Sequence, residues 1–183
     1  SALIFTAAFF TKQSALLMAL PVMAACFISH RRDAVYAGAL FAGLTLALCL
    51  IADAHSGGWF NFYVFELPAA HRIDWRNLGS FWTRDALRPF GLATLCALLA
   101  LILMREDGRH KIGWYVALAA GFIGASYVSR LHSFGHVNVL ITMHFVLALL
   151  AGMALTKAKE ANSPYLQTAL TLALCLQFIA LYY

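Results

Sequence analysis

Val139-Leu140-Ile141-Thr142-Met143-His144-Phe145-Val146-Leu147-Ala148-Leu149-Leu150-Ala151-Gly152-Met153-Ala154-Leu155-Thr156 runs for 18 residues without an acidic, lysine or arginine side chain, and stops at Lys157. The hydrocarbon core of a bilayer is about 30 Å thick, so about 20 apolar residues of α-helix cross it. Residues 139–156 meet that requirement nearly alone. Five further stretches approach it, at residues 3–28, 34–52, 89–104, 112–129 and 165–183. The first is interrupted by Lys12-Gln13 and Pro21, which predicts a half-helix, a break and a second helix. The shortest of the six, 89–104, borrows residues 85–88 as an interfacial turn. The expected fold is all-α: a polytopic transmembrane helix bundle, a single domain over residues 1–183 with about six spanning helices.

Composition points the same way. The 183-residue chain is 62% hydrophobic and 11% charged, with a mean hydropathy of +0.76. A soluble domain is about half apolar and a quarter charged. Too few polar residues remain to cover a water-facing surface, so the surrounding medium is lipid and membrane lipid is a partner. Disorder is excluded on the same ground. Lysine and arginine outnumber aspartate and glutamate by 13 to 8, but they sit in short clusters between apolar runs. That is the pattern of membrane topology signals, not of nucleic-acid binding. Cys26, Cys49, Cys96 and Cys175 lie in apolar stretches with no CxxC spacing, and read as small buried hydrophobes. The chain opens on Ser1 with an apolar run at once and no basic n-region. It reads as the interior of a bundle, so a further segment is expected upstream of Ser1.

Connectors alternate in character. One set carries Arg31, Arg32, Arg105, Arg109, Lys111, Lys157 and Lys159; the opposite set carries Arg72, Arg76, Arg84, Arg88 and Arg130. The positive-inside rule places the first set in the cytoplasm and both termini outside. The outer face then holds a long segment, residues 53–88, and a short one, residues 130–138. The long one contains Trp59-Phe60-Asn61-Phe62-Tyr63-Val64-Phe65, a density of aromatics suited to the lipid–water interface. Within it Leu78, Phe81, Trp82 and Ala86 share one helical face against Asn77, Ser80, Arg84 and Arg88, which predicts a short amphipathic helix on the outer leaflet.

Few residues can carry chemistry. Lys12, beside Thr11, Gln13 and Ser14, puts a cation in an apolar run; it either holds a lipid phosphate or snorkels to the headgroups. Arg130-Leu131-His132-Ser133-Phe134-Gly135-His136-Val137-Asn138 gathers an arginine, two histidines and an asparagine. An arginine fork binds phosphate oxygens in pairs, and His132, His136 and Asn138 can complete the cradle, while Gly135 permits close backbone approach. An ordinary polar turn is the alternative. His132, His136 and His144 would share a face for metal or haem only on one continuous helix, and Gly135 argues for a turn first. No metal site is assigned. Among the outer acids Asp53, Glu66, Asp74 and Asp85, Asp53 at the mouth of its helix is the best placed general base, though each has a cation nearby.

Three stretches carry a family resemblance: Phe9-Phe10-Thr11-Lys12-Gln13-Ser14; Gly58 to Pro68 together with Phe81-Trp82; and Ser129 to Leu140. Together they resemble the membrane domain of GT-C glycosyltransferases, in particular the bacterial relatives of protein mannosyltransferases. The resemblance implies a bacterial cytoplasmic (inner) membrane protein that transfers sugar, with inversion, from a polyprenyl-phosphate sugar donor to an acceptor outside. It implies that Lys12 and Arg130, with His132, His136 and Asn138, neutralise the donor phosphate. In that family an acid in the first large outer loop is base or metal ligand. No such loop precedes Lys12 here, so the catalytic acid is expected upstream of Ser1, with any divalent metal left to the full-length enzyme. No cofactor is expected of these residues. The competing expectation is an accessory subunit of a larger membrane complex. A transporter fits less well, since no second half mirrors Lys12.

Overall fold

The computed structural model describes residues 2–133 and 135–182. Ser1, Phe134 of the histidine-rich turn and Tyr183 of the last apolar stretch lie outside the described residues. Eight helices follow one another: α1 (Ala2–Thr11), α2 (Ala15–Ser29), α3 (Arg31–Ser56), α4 (residues 59–69), α5 (Asn77–Asp107), α6 (Arg109–Leu131), α7 (Val137–Glu160) and α8 (Pro164–Tyr182). Among the described residues there is no strand, only one isolated bridge between Ile73 and His132. Helices α3, α5, α6, α7 and the span Pro164–Leu181 of α8 are long and apolar enough to cross a membrane. Their surfaces agree: only 6% of the apolar window of α3 is buried, and Leu46 of α3 and Leu95 of α5 are 62% and 63% exposed. Apolar side chains facing outward in such numbers have lipid as their solvent. The chain is a multi-pass integral membrane protein.

The interrupted first stretch behaves as its polar notch predicts. Helix α1 ends at Thr11, residues 12–14 form a turn, and α2 restarts at Ala15, while Pro21 stays inside α2. Phe5 packs on Phe41 and Thr45 donates a hydrogen bond to Thr6 at 3.4 Å, so α1 runs alongside α3 in the same direction. Phe9 and Phe10 then meet Phe65 and Phe60 of α4. Lys12 therefore sits at the end of the bundle where the long aromatic segment lies, called the loop end below. The opposite, basic end carries the turn between α2 and α3 and the short connectors around Arg105–Arg109 and Lys157.

Two packing units meet along one seam. Helices α5, α6, α7 and α8 share a core in which Phe81, Ala100, Val146 and Ala154 are fully buried; α1–α3 share a smaller one around Ala2, Ala19 and Phe41. The seam is α2 against α6, and it depends on absent side chains. A Cβ on Gly121 would lie 2.7 Å from the Met18 carbonyl oxygen and 3.1 Å from Met18 Cα. Ala15, Ala19 and Ala125 are buried beside it. Small residues let helix backbones approach closely where lipid gives no hydrophobic drive to associate. Between α6 and α7 a polar knot replaces bulk. Thr142 donates to the Phe122 carbonyl at 3.0 Å, so the 2.6 Å contact with Ser126 must use the Ser126 proton. Ser126 Oγ in turn accepts the first-turn N–H of Met143 at 3.0 Å.

The outer segment is helical over residues 77–87 and continues into the span, with a kink at Phe90 (φ −127°, ψ 26°). Its faces differ from the spacing: Asn77, placed with the polar set, is buried like Phe81 and Ala86, whereas Leu78 and Trp82 of the apolar set are exposed. The kink has an unusual partner. Pro89 and Ala93 would form one helical hydrogen bond, and the Gln177 side-chain amide of α8 inserts there instead. Its amide nitrogen Nε2 donates to the Pro89 carbonyl, and its Oε1 accepts the Ala93 N–H at 3.1 Å. A side chain inserted into the ladder is a recognised cause of bending, and a bare peptide group in hydrocarbon is costly. Gln177→Leu leaves both groups unmet and is expected to destabilise the protein by about 2 kcal/mol. Thermal unfolding of the detergent-solubilised variant against wild type measures it.

Candidate functional site

The short loop after α6 is stitched to the long outer segment. Asp74 N–H donates to the Leu131 carbonyl at 2.8 Å, Ser133 N–H to Arg72 at 3.0 Å, and Asn77 Nδ2 to the Arg130 carbonyl at 3.0 Å. The chain then turns back through Gly135, where a Cβ would run into the Ser129 carbonyl oxygen and lie 3.0 Å from Arg130 Cα. Helix α6 ends at Leu131, and α7 starts with a tight turn at Val137–Leu140. His132, His136 and His144 thus do not share one helix, as Gly135 predicts. Among the described residues no group of three histidine, cysteine, aspartate or glutamate side chains could hold a metal.

This stitched wall faces the α1–α2 turn across a cleft of about 420 Å³. Lys12, Gln13 and Ser14 line one side, His71 after Pro68 another, and Ser129, His132 and Gly135 the third. Three segments far apart in sequence thus bring a cation, two imidazoles, an amide and hydroxyls around one space at the loop end. Lys12 is exposed, and His132 Nδ1 is buried without a hydrogen-bond partner among the described residues.

The other expected residues are placed differently. Arg130 does not line the cleft. Its Nε donates to Asp85 Oδ2 at 2.9 Å and its Nη1 to the Gly135 carbonyl, while Arg84 takes the other Asp85 oxygen at 3.2 Å. Arg130 is a positioning residue: it spans the turn that forms the cleft wall. His136 and Asn138 are exposed and also outside the cleft lining. His144 packs against Phe90, ring centroids 4.2 Å apart, with Nε2 buried and unpartnered among the described residues. Asp53 accepts the Asn61 N–H at 2.8 Å, beside Ser56, which accepts that of Phe60 at 2.9 Å. These satisfy first-turn donors of α4, the usual work of a helix cap. Asp53 also borders a second, apolar cleft of about 410 Å³ between α1, α3 and α4. Glu66 accepts from Asn61 Nδ2 at 2.7 Å and Asp74 from the Arg76 N–H at 3.1 Å. Every outer acid therefore has a structural partner.

His71 is the residue the sequence reading passed over. It stands between Ala70 and Arg72 with no motif around it, and only the fold brings it to Lys12 and His132. Comparison with family models returns no match, and comparisons with curated proteins and with solved structures return none either.

Proposed function

We propose that this chain is part of a GT-C type membrane glycosyltransferase, and that the loop-end cleft holds the phosphate of a polyprenyl-phosphate sugar donor. The observation that carries the reading is the convergence of Lys12, Ser14 and His132 on one cleft beside the aromatic segment. A lysine cation attracts the phosphate, and imidazole and hydroxyl groups can donate to its oxygens; both effects grow as charge develops on a leaving phosphate. No acid lines this cleft among the described residues, so what it supplies is grip on the donor, with the general base expected from another part of the enzyme. The bacterial inner membrane, with the sugar acceptor outside, completes this reading.

The test is transfer from polyprenyl-phospho-sugar by the full-length protein. Lys12→Ala is expected to raise the KM for donor about tenfold or more, the cost of one charge-assisted phosphate contact. Lys12→Arg should recover most of that loss. An unchanged KM in Lys12→Ala rules the proposal out.

The absence of an acid from the cleft lining also favours a second reading, a non-catalytic subunit of a larger membrane complex. Co-purification at fixed stoichiometry with unrelated membrane subunits supports it, and isolation as a single active species excludes it.

A further inference from the structure

At the basic end, on the other side of the α2–α6 seam, lies a separate groove of about 300 Å³. Ala24, Ala25, Gly113 and Ala117 leave it open, and Ile28 and Val116, 80% and 47% exposed, flank it. This part of the wall faces hydrocarbon. The mouth is of another kind: Ser29, Arg109 and His110 stand there beside Trp114. Arg31, Arg32 and Lys111 are exposed in the adjoining turns, with Arg31 over the Phe27 ring at 5.2 Å.

Among the described residues Arg31, Arg32 and Arg109 are in no ion pair with a protein acid, while Lys111 lies at the edge of one. Asp107, the nearest acid in sequence to Arg109, is held by Lys157 at 2.7 Å and by Lys111 at 4.0 Å. Among the described residues neither Arg109 nor His110 is in an ion pair, and Asp33 is exposed without one. A ligand matching both halves needs an anionic head at the level of the helix ends and an apolar tail running toward the bilayer centre. A soluble phosphate has no use for the wall, and a zwitterionic lipid gains little from the mouth. Basic pockets between spanning helices at such a depth suit acidic lipid headgroups.

We propose that the α2–α6 groove at the basic end binds one anionic phospholipid, its phosphate on Arg109 and His110 and one acyl chain along Ala24, Ala25 and Ala117. The site is independent of the loop-end cleft and of the reaction proposed there.

Native mass spectrometry of the purified protein, released from micelles doped with phosphatidylglycerol or phosphatidylcholine of the same chains, tests it. Wild type is expected to retain phosphatidylglycerol about tenfold more than phosphatidylcholine, as Arg109 with the exposed Arg31 and Arg32 alongside allows. The double variant Arg109→Gln with His110→Gln should lose that preference. Gly113→Leu should lose bound phosphatidylglycerol by obstruction, with folding intact, because a Cβ at Gly113 meets nothing within 4 Å. Equal retention of the two lipids by wild type overturns the proposal, as does undiminished phosphatidylglycerol on folded Gly113→Leu.

Discussion

Gly121→Val is expected to cost about 3 kcal/mol of stability, the upper part of the range for overpacking a tight contact. The first added carbon already lies 2.7 Å from the Met18 carbonyl oxygen. The obstacle is backbone, so no rotamer change relieves it and α2 must move away from α6. The effect reaches the cleft, because Lys12 precedes α2 and His132 follows α6. Unfolding in SDS or by heat should show the loss. Gly124→Val, one turn along the same helix where a Cβ meets nothing within 4 Å, should stay within about 0.5 kcal/mol of wild type. Equal behaviour of the two variants would mean that α2 and α6 do not cross at Gly121.

Gly135→Ala should produce the second large effect, and a more local one. Its methyl group would collide with the Ser129 carbonyl oxygen and fall 3.1 Å from that of His132. The turn must open, which removes the carbonyl that Arg130 Nη1 holds and displaces the wall bearing His132. Stability should fall by about 2 kcal/mol, and affinity for polyprenyl phosphate by about tenfold. Asp85→Asn, which weakens the other hold on Arg130 without touching the cleft lining, should reduce affinity less. Isothermal titration or a thermal-shift series with the lipid separates the two.

How much of this could be read from the residues alone follows from sequence distance. The spans are local features, and their apolar runs were legible. So was the break at Lys12: Thr11, Gln13 and Ser14 interrupt the pattern where α1 gives way to α2. The end of α3 was not: the apolar run read as 34–52 continues to Ser56, where Gly57 and Gly58, at φ +63° and +91°, stop the helix. Partners were not legible. Arg130 looked like a phosphate ligand because its neighbours in sequence are polar. Its actual partner, Asp85, is 45 residues away, and nothing in the local pattern marks a guanidinium as already engaged. Asn77 read as solvent-facing for the same reason, although its amide is used by the Arg130 carbonyl, 53 residues distant. Gln177 reads as a blemish in an apolar helix until the Pro89 kink is placed beside it. The cleft itself was half legible: Lys12 and His132 were singled out, while His71 needed the fold.

A photo-crosslinking experiment bears most directly on the claim that the loop-end cleft receives a lipid phosphate. A benzophenone amino acid is introduced at Val128, in the cleft lining, or at Leu98, a lipid-facing position on α5 outside every cleft described above. Each membrane preparation is irradiated with radiolabelled polyprenyl phosphate. The expected result is strong labelling from position 128, abolished by adding Lys12→Ala, and only background labelling from position 98. Equal labelling at the two positions, or labelling at 128 that persists without Lys12, would contradict it.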